Sequence, residues 1–166
     1  MSSRTASAPE SITLKNEVSW SVGSIATGAV TNTVAIFALF FLTSHLGLEA
    51  GIAGLLIFAT KIYDAISDPI MGRISDNWQG KSGRRSPFLC WGALILGISF
   101  FFFFNLSPMN TSIAIPVVLL LLIMISTGYT IFAVPYLALA PDIAPSYDGR
   151  TRLMSYRVFF LMMGVL

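Results

Sequence analysis

Charge is what this 166-residue chain has least of. Ten Lys and Arg and eight Asp and Glu make up 11% of the residues, against roughly 25% in soluble domains. A water-soluble chain of this length cannot cover its surface with so few charges. A single cysteine, Cys90, excludes a disulfide framework, and a single histidine, His45, leaves no His/Cys metal site. Disordered segments are polar and charged, whereas 55% of this chain is hydrophobic and its mean hydropathy is +0.76. The net charge of +2 is too weak, and the apolar runs too long, for a nucleic-acid binder. What remains is an integral membrane protein whose solvent is the lipid bilayer.

Residues 1–16 are polar and rich in Ser and Thr, with Arg4 and Lys15. No short apolar core with a small-residue cleavage site follows, so they read as a cytoplasmic tail rather than a signal peptide. The membrane part, residues 17–166, holds five apolar stretches at 18–43, 51–74, 88–106, 112–140 and 153–166. Crossing a bilayer takes about 20 apolar residues. The first four stretches suffice. The fifth stops after 14 residues inside FFLMMGVL and reads as a helix cut short. Loop charges give an orientation. Basic residues cluster in the tail, in the second connection (Arg73, Lys81, Arg84, Arg85) and around the fourth (Arg150, Arg152, Arg157), while the first and third connections hold none. By the positive-inside rule the N-terminus and the even-numbered connections are cytoplasmic, in a multi-pass protein of the cell membrane.

Lys61 is the one basic residue outside that scheme, and it opens the segment KIYDAISDPIMG. Lys61, Asp64 and Asp68 are spaced i, i+3, i+7 and share one helical face. Asp64 lies about 20 Å into the second stretch at 1.5 Å per residue, within the hydrocarbon or toward its cytoplasmic half. Each charge there costs about 2.5–3.5 kcal/mol, so the three must face protein or a water-filled cavity. Lys61 neutralises one carboxylate and not both. Two carboxylates a turn apart call for a bound cation or a shared proton. Ser67 adds a hydroxyl beside the pair, and Pro69, lacking an N–H, leaves the Ala65 carbonyl available as a further ligand. A buried salt bridge that only locks two helices accounts for a lone Lys–Asp pair, but not for the second Asp and the Pro.

Beyond this segment come Gly72 and Asp76, then Gly83, Arg84 and Arg85. Gly72 would allow close helix packing. Asp76 would pair with an arginine in one conformation and release it in another, making these five residues a candidate conformational-switch loop. The fourth stretch carries Gly128, Tyr129 and Thr130, then Pro135 at the head of PYLALAPD; a proline well inside an apolar span is expected to bend the helix and free backbone groups. Asn32 and Thr33 in the first stretch are neutral polar residues fit to face a cavity or to bond a neighbouring helix.

With DAISDPIMGRISD, GKSGRRSPF, PYLALAPD and DGRTRLMSYR in view, the chain resembles the glycoside–pentoside–hexuronide:cation symporters, the melibiose-permease-like branch of the major facilitator superfamily. The resemblance runs from about Trp20 to Phe159. It implies an all-α, polytopic membrane helix bundle corresponding to the N-terminal half of a twelve-helix transporter, with the C-terminal half as its missing partner. It implies symport of Na⁺, H⁺ or Li⁺ with a small, carbohydrate-like solute, and no other cofactor. Asp64 and Asp68 match the family's cation carboxylates, Thr130 its helix 4 threonine ligand, and Ser67 stands where melibiose permease has an asparagine. Lys61 replaces an arginine, and Arg157 lies one position from the family's helix 5 arginine in an ungapped comparison. The family's sugar-gripping acids in helices 1 and 4 have no counterpart: no Asp or Glu occurs between Glu17 and Glu49 or between Asp76 and Asp142, and Ala133 occupies the helix 4 position.

The expected function is therefore a cation-coupled secondary transporter of a sugar or sugar-derived solute. Lys61, Asn32 and Arg157 are candidates for the substrate cavity, and a non-sugar solute such as a lysolipid or organic anion is the alternative. A non-transporting bundle, or a membrane-embedded enzyme with a metal at Asp64 and Asp68, is the remaining competitor. An enzyme of that kind lacks the further acids a two-metal phosphotransferase needs and any His or Cys nucleophile assembly.

Overall fold

The computed structural model describes residues 14–78, 85–144 and 146–165. Every regular element among them is helical: α1 (Leu14–Phe40), continued by a π-helical turn (Phe41–His45), α2 (Ala50–Asn77), α3 (Ser86–Phe104), α4 (Thr111–Ala138), a single turn α5 (Ala140–Ile143) and α6 (Tyr147–Val165). Four spans are long and apolar enough to cross a membrane: Val18–His45, Ala50–Asn77, Ser86–Phe104 and Thr111–Ile143. The chain is a multi-pass, all-α membrane bundle, with four spanning helices among the described residues. Helix α1 begins at Leu14, inside the segment read above as tail, of which residues 1–13 lie outside the described residues.

The chain divides into two compact units. The larger, Val30–Leu139, holds the second part of α1 with α2, α3 and α4. Its apolar core joins Ala38 of α1, Leu42 of the π-helical turn, Ala53 and Leu56 of α2, Leu96 and Phe103 of α3, and Val118, Leu122 and Ile125 of α4. These residues lie toward the loops that link α1 to α2 and α3 to α4. In the first of those loops Gly47 takes φ +68°, a left-handed geometry that suits glycine, and the Leu48 N–H returns to the Leu42 carbonyl at 3.0 Å.

Helices α3 and α4 approach backbone to backbone. A Cβ on Gly92 would lie 2.6 Å from the Phe132 nitrogen, and one on Gly128 2.6 Å from the Leu96 nitrogen. The pairs run in opposite directions along the two chains, so the helices are antiparallel. Gly72 has no such role. A Cβ there would meet only Val134 Cγ1, at 3.8 Å, an ordinary contact, so the close packing expected of Gly72 belongs to Gly92 and Gly128 instead.

Helix α4 runs through Pro135 and ends at Ala138, with the Leu139 N–H turning back to the Tyr136 carbonyl at 3.3 Å. Pro141 accounts for the interruption: it has no N–H to donate to the Leu137 carbonyl four residues back, and the chain resumes as the single turn α5.

The smaller unit, residues 1–29 and 140–166, packs Ala140, Ala144 and Leu153 with Trp20, Ile143 and Met154. Here α6 starts six residues earlier than the apolar stretch at 153–166. Ser146 Oγ accepts the Gly149 N–H at 3.2 Å, an N-cap that brings Asp148, Arg150 and Arg152 into the helix.

Candidate functional site

Helices α2 and α4 are parallel, and a constant offset of 62 residues aligns them: Asp64 with Ser126, and Asp68 with Thr130. Four residues separate the members of each pair of positions, so the two contacts form rungs one helical turn apart. In the upper rung the Ser126 hydroxyl donates to Asp64 Oδ1. In the lower rung the Thr130 hydroxyl donates to Asp68 Oδ1 at 2.7 Å. The other oxygen of Asp64, Oδ2, accepts from the Lys61 ammonium at 3.0 Å. Thr130 is buried at 3% exposure, whereas the Lys61 side chain is 66% exposed and that of Asp64 25%. Asp68 is exposed. One side of the ladder is thus sealed by α4 and the other is open. A charge cannot face hydrocarbon cheaply, so the open side faces water or protein.

Beside the ladder, the Tyr63 hydroxyl and Thr127 Oγ1 lie 2.8 Å apart, and Thr127 in turn donates to the Ile123 carbonyl at 2.7 Å. This is a third bond between α2 and α4, and it touches neither carboxylate. Ser67 donates to the main-chain carbonyl of Asp64 at 3.4 Å; its hydroxyl is directed along its own helix rather than at a carboxylate.

The third polar feature lies at the far end of α2. Arg85, buried at 8% exposure, donates from one guanidinium nitrogen to Asp76 Oδ1 at 2.9 Å and from the other to the Ala138 carbonyl. Ala138 is the last residue of α4, and its carbonyl is left over by the break before Pro141. The planar fork of Arg85 therefore ties the ends of α2 and α4 to the start of α3. Of the expected switch-loop residues, Gly72, Asp76 and Arg85 are placed; Gly83 and Arg84 lie outside the described residues. Asn32 is half-buried on α1. Arg157 stands on α6 in the smaller unit, with its Nε buried and without a hydrogen-bond partner among the described residues.

Chemically, the ladder offers two carboxylates and two hydroxyls on one interface, all hard oxygen donors of the kind that s-block cations take. Among the described residues no three His, Cys, Asp or Glu come together as a metal cluster. Ser126 and Tyr63 escaped the sequence reading. The signal for Ser126 was its four-residue spacing from Thr130, a copy of the Asp64–Asp68 spacing, which acquires meaning only once the two helices are known to be parallel.

A family model described as MFS/sugar transport protein matches residues 19–166. YagG of Escherichia coli (strain K12), described as a glycoside/cation symporter, is 31% identical over 155 residues, which cover 93% of this chain and 34% of YagG. The uncharacterised symporter sll1374 of Synechocystis is 29% identical over 161 residues, covering 93% of this chain and 30% of its own length. The uncharacterised symporter YnaJ of Bacillus subtilis (strain 168) is 31% identical over 156 residues, with 92% and 33% covered. The chain spans about a third of the length of these curated relatives. All three are symporters by name.

Proposed function

The chain belongs to the MFS/sugar transport protein family, and from that premise we propose that it forms the first helices of a cation-coupled symporter of the glycoside–pentoside–hexuronide:cation branch. Asp64 and Asp68 hold the coupling ion, Na⁺ or H⁺, with the hydroxyl of Thr130 and the neighbourhood of Ser67 completing the site. The observation that carries this reading is the two-rung ladder: two carboxylates in a spanning helix, anchored from behind by α4 and open in front. Such groups are costly in a membrane and persist where they line a path. The description of YagG as a glycoside/cation symporter supports a sugar-derived solute. No acid occurs on α4, or on α1 after Glu17, to grip neutral sugar hydroxyls, while Lys61 favours a solute with negative charge, such as a uronate or sulfonate. The N-terminus is cytoplasmic, and Arg85 with Asp76 and Gly72 forms a switch loop on that side.

Vesicles containing the full-length transporter test this with a panel of neutral glycosides and anionic sugars under a Na⁺ or H⁺ gradient. Uphill accumulation is expected, with competition by the anionic members. Asp64→Asn and Asp68→Asn are each expected to insert normally and to lose accumulation, because the ion loses a ligand and its attracting charge. Undiminished accumulation by both variants overturns the cation site, and inhibition by neutral galactosides alone overturns the anionic substrate. Residues 1–166 alone are expected not to transport; robust uptake by them overturns the placement within a longer symporter.

A further inference from the structure

We propose that Ser126 is a positioning residue of the cation site, holding one oxygen of Asp64 against α4 so that the other faces the open side, where Na⁺ exchanges with the Lys61 ammonium. This rests on the cation-symport reading above and takes Na⁺ as the ion.

The two oxygens of Asp64 have different kinds of partner. Oδ1 is held by Ser126 on a neighbouring helix, and Oδ2 by Lys61 three residues back on the same helix. Ser126 is half-buried and stands on the α4 turn that carries buried Ile125 and Gly128, so its hydroxyl is fixed by the packing of α4. Lys61 is two-thirds exposed, and its ammonium sits on a flexible four-carbon stem that can swing away. The exchangeable partner is therefore the ammonium, and the fixed one is the hydroxyl. Asp68 sharpens the contrast. It too is anchored by an α4 hydroxyl, from Thr130, yet among the described residues no cation pairs with it. The upper rung alone carries an internal cation, so it is the rung at which an incoming ion must compete.

A hydroxyl that donates one hydrogen bond keeps its lone pairs. Ser126 can hold Oδ1 before and after the exchange, and the carboxylate does not have to reorient. Without it the carboxylate turns freely onto Lys61 and can meet the ammonium with both oxygens, which favours the ion-free form. Groups that orient a ligand without themselves replacing it typically change ion affinity about 10–100-fold when removed.

The test is a Na⁺ titration of the purified full-length transporter, read as ²²Na⁺ binding and as the Na⁺-dependent rise in Tm, with choline holding ionic strength constant. Wild type is expected to saturate and Asp64→Asn to show no saturable response. Ser126→Ala is expected to weaken Na⁺ about 10–100-fold, and Ser126→Thr, which keeps the hydroxyl, to stay within about threefold of wild type. On a Lys61→Met background the Ser126→Ala effect is expected to shrink, since the competitor is gone; a purely structural serine would show the same loss on both backgrounds. Thr127→Val, one residue along and bonded to Tyr63 instead, is expected to lower Tm without changing Na⁺ affinity. If Ser126→Ala does not fold, Ser126→Cys, with its weak thiol donor, is expected to fall between Thr and the Ala prediction. Unchanged affinity in Ser126→Ala or Ser126→Cys overturns the role of Ser126 and leaves the cation site standing. No saturable Na⁺ response in wild type overturns the site itself, and this inference with it.

Discussion

On the side of α4 that faces α2, the contact is made by hydroxyls: Ser126, Thr127 and Thr130 meet Asp64, Tyr63 and Asp68. On the side that faces α3, it is made by the backbone itself, at Gly92 and Gly128. Lipid is as apolar as leucine, so helices in a bilayer gain little from burying apolar surface against each other. They associate by close van der Waals packing at small residues or by hydrogen bonds, and α4 uses one device on each side. The difference lies in what each device permits. A backbone-to-backbone seam has no spare room, so it fixes α3 and α4 as a pair. A hydroxyl that donates to one carboxylate oxygen leaves the other accessible from the far side, as at Asp64, whose second oxygen meets Lys61; the α3 side has no such opening.

The largest effect is expected from breaking the rigid seam. Gly92→Leu or Gly128→Leu places a side chain where a bare Cβ already comes within 3 Å of backbone atoms, and backbone cannot move aside as a side-chain tip can. Overpacking of this kind typically costs about 1–3 kcal/mol and occasionally more, and here the upper end is expected, read as loss of folded full-length protein in detergent or a steep fall in Tm. Gly97 provides the contrast on the same helix. Nothing lies within 4 Å of a Cβ there, so Gly97→Ala is expected to be neutral or to stabilise by about 0.5–1 kcal/mol through helix propensity. Equal damage at Gly92 and Gly97 would show that the seam is not what holds α3 to α4.

Next in size is Arg85. Its guanidinium is buried and reaches two acceptors at once. Arg85→Lys keeps the charge but has a single point donor, so it can satisfy Asp76 or the Ala138 carbonyl and not both. A cost of about 1.5–3 kcal/mol is expected, the range for a hydrogen bond to a charged group. Asp76, 59% exposed, is screened by solvent, so Asp76→Asn is expected to cost about 1 kcal/mol or less. Thermal unfolding of the two variants gives the ordering; a larger loss in Asp76→Asn would mean that the ion pair, and not the carbonyl, is what Arg85 is there to hold.

These interfaces differ in how far the sequence announced them. The four spans and the Lys61–Asp64–Asp68 face were legible, because helical periodicity and the cost of charge in hydrocarbon are local facts. The position of Thr130 was available only through resemblance. Ser126 was not legible, since a serine in an apolar helix usually bonds its own backbone, as Ser99 does to the Ile95 carbonyl at 2.7 Å. The role of Gly92 and Gly128 was hidden for a related reason, although Gly128 stood out in the fourth stretch: a glycine shows its purpose only when the partner helix and its register are known. Gly72 looked like a packing glycine from its motif and has an ordinary neighbour. The start of α6 was missed because hydropathy marks where a helix becomes apolar, whereas the Ser146 cap sets where it begins.

The smallest effect belongs to the bond that joins α2 to α4 without touching a carboxylate. Tyr63 and Thr127 share a hydrogen bond of 2.8 Å, and Thr127 already gives its own proton to Ile123, so in this arrangement Tyr63 is the donor and Thr127 the acceptor. Tyr63→Phe removes the donor and leaves Thr127 bonded to its own helix, so no polar atom is stranded and the cost is expected near the low end of about 0.5–1.5 kcal/mol. Thr127→Val removes the acceptor and strands the tyrosine hydroxyl, which is expected to cost more. The double variant strands nothing. A coupling energy near 0.6 kcal/mol is expected from the thermodynamic cycle, the average for hydrogen bonds between membrane helices. A coupling of several kcal/mol would place this pair inside the ion ladder rather than beside it. In that case Tyr63→Phe would also change Na⁺ affinity, which the geometry, with neither carboxylate in reach of its bond, does not lead one to expect.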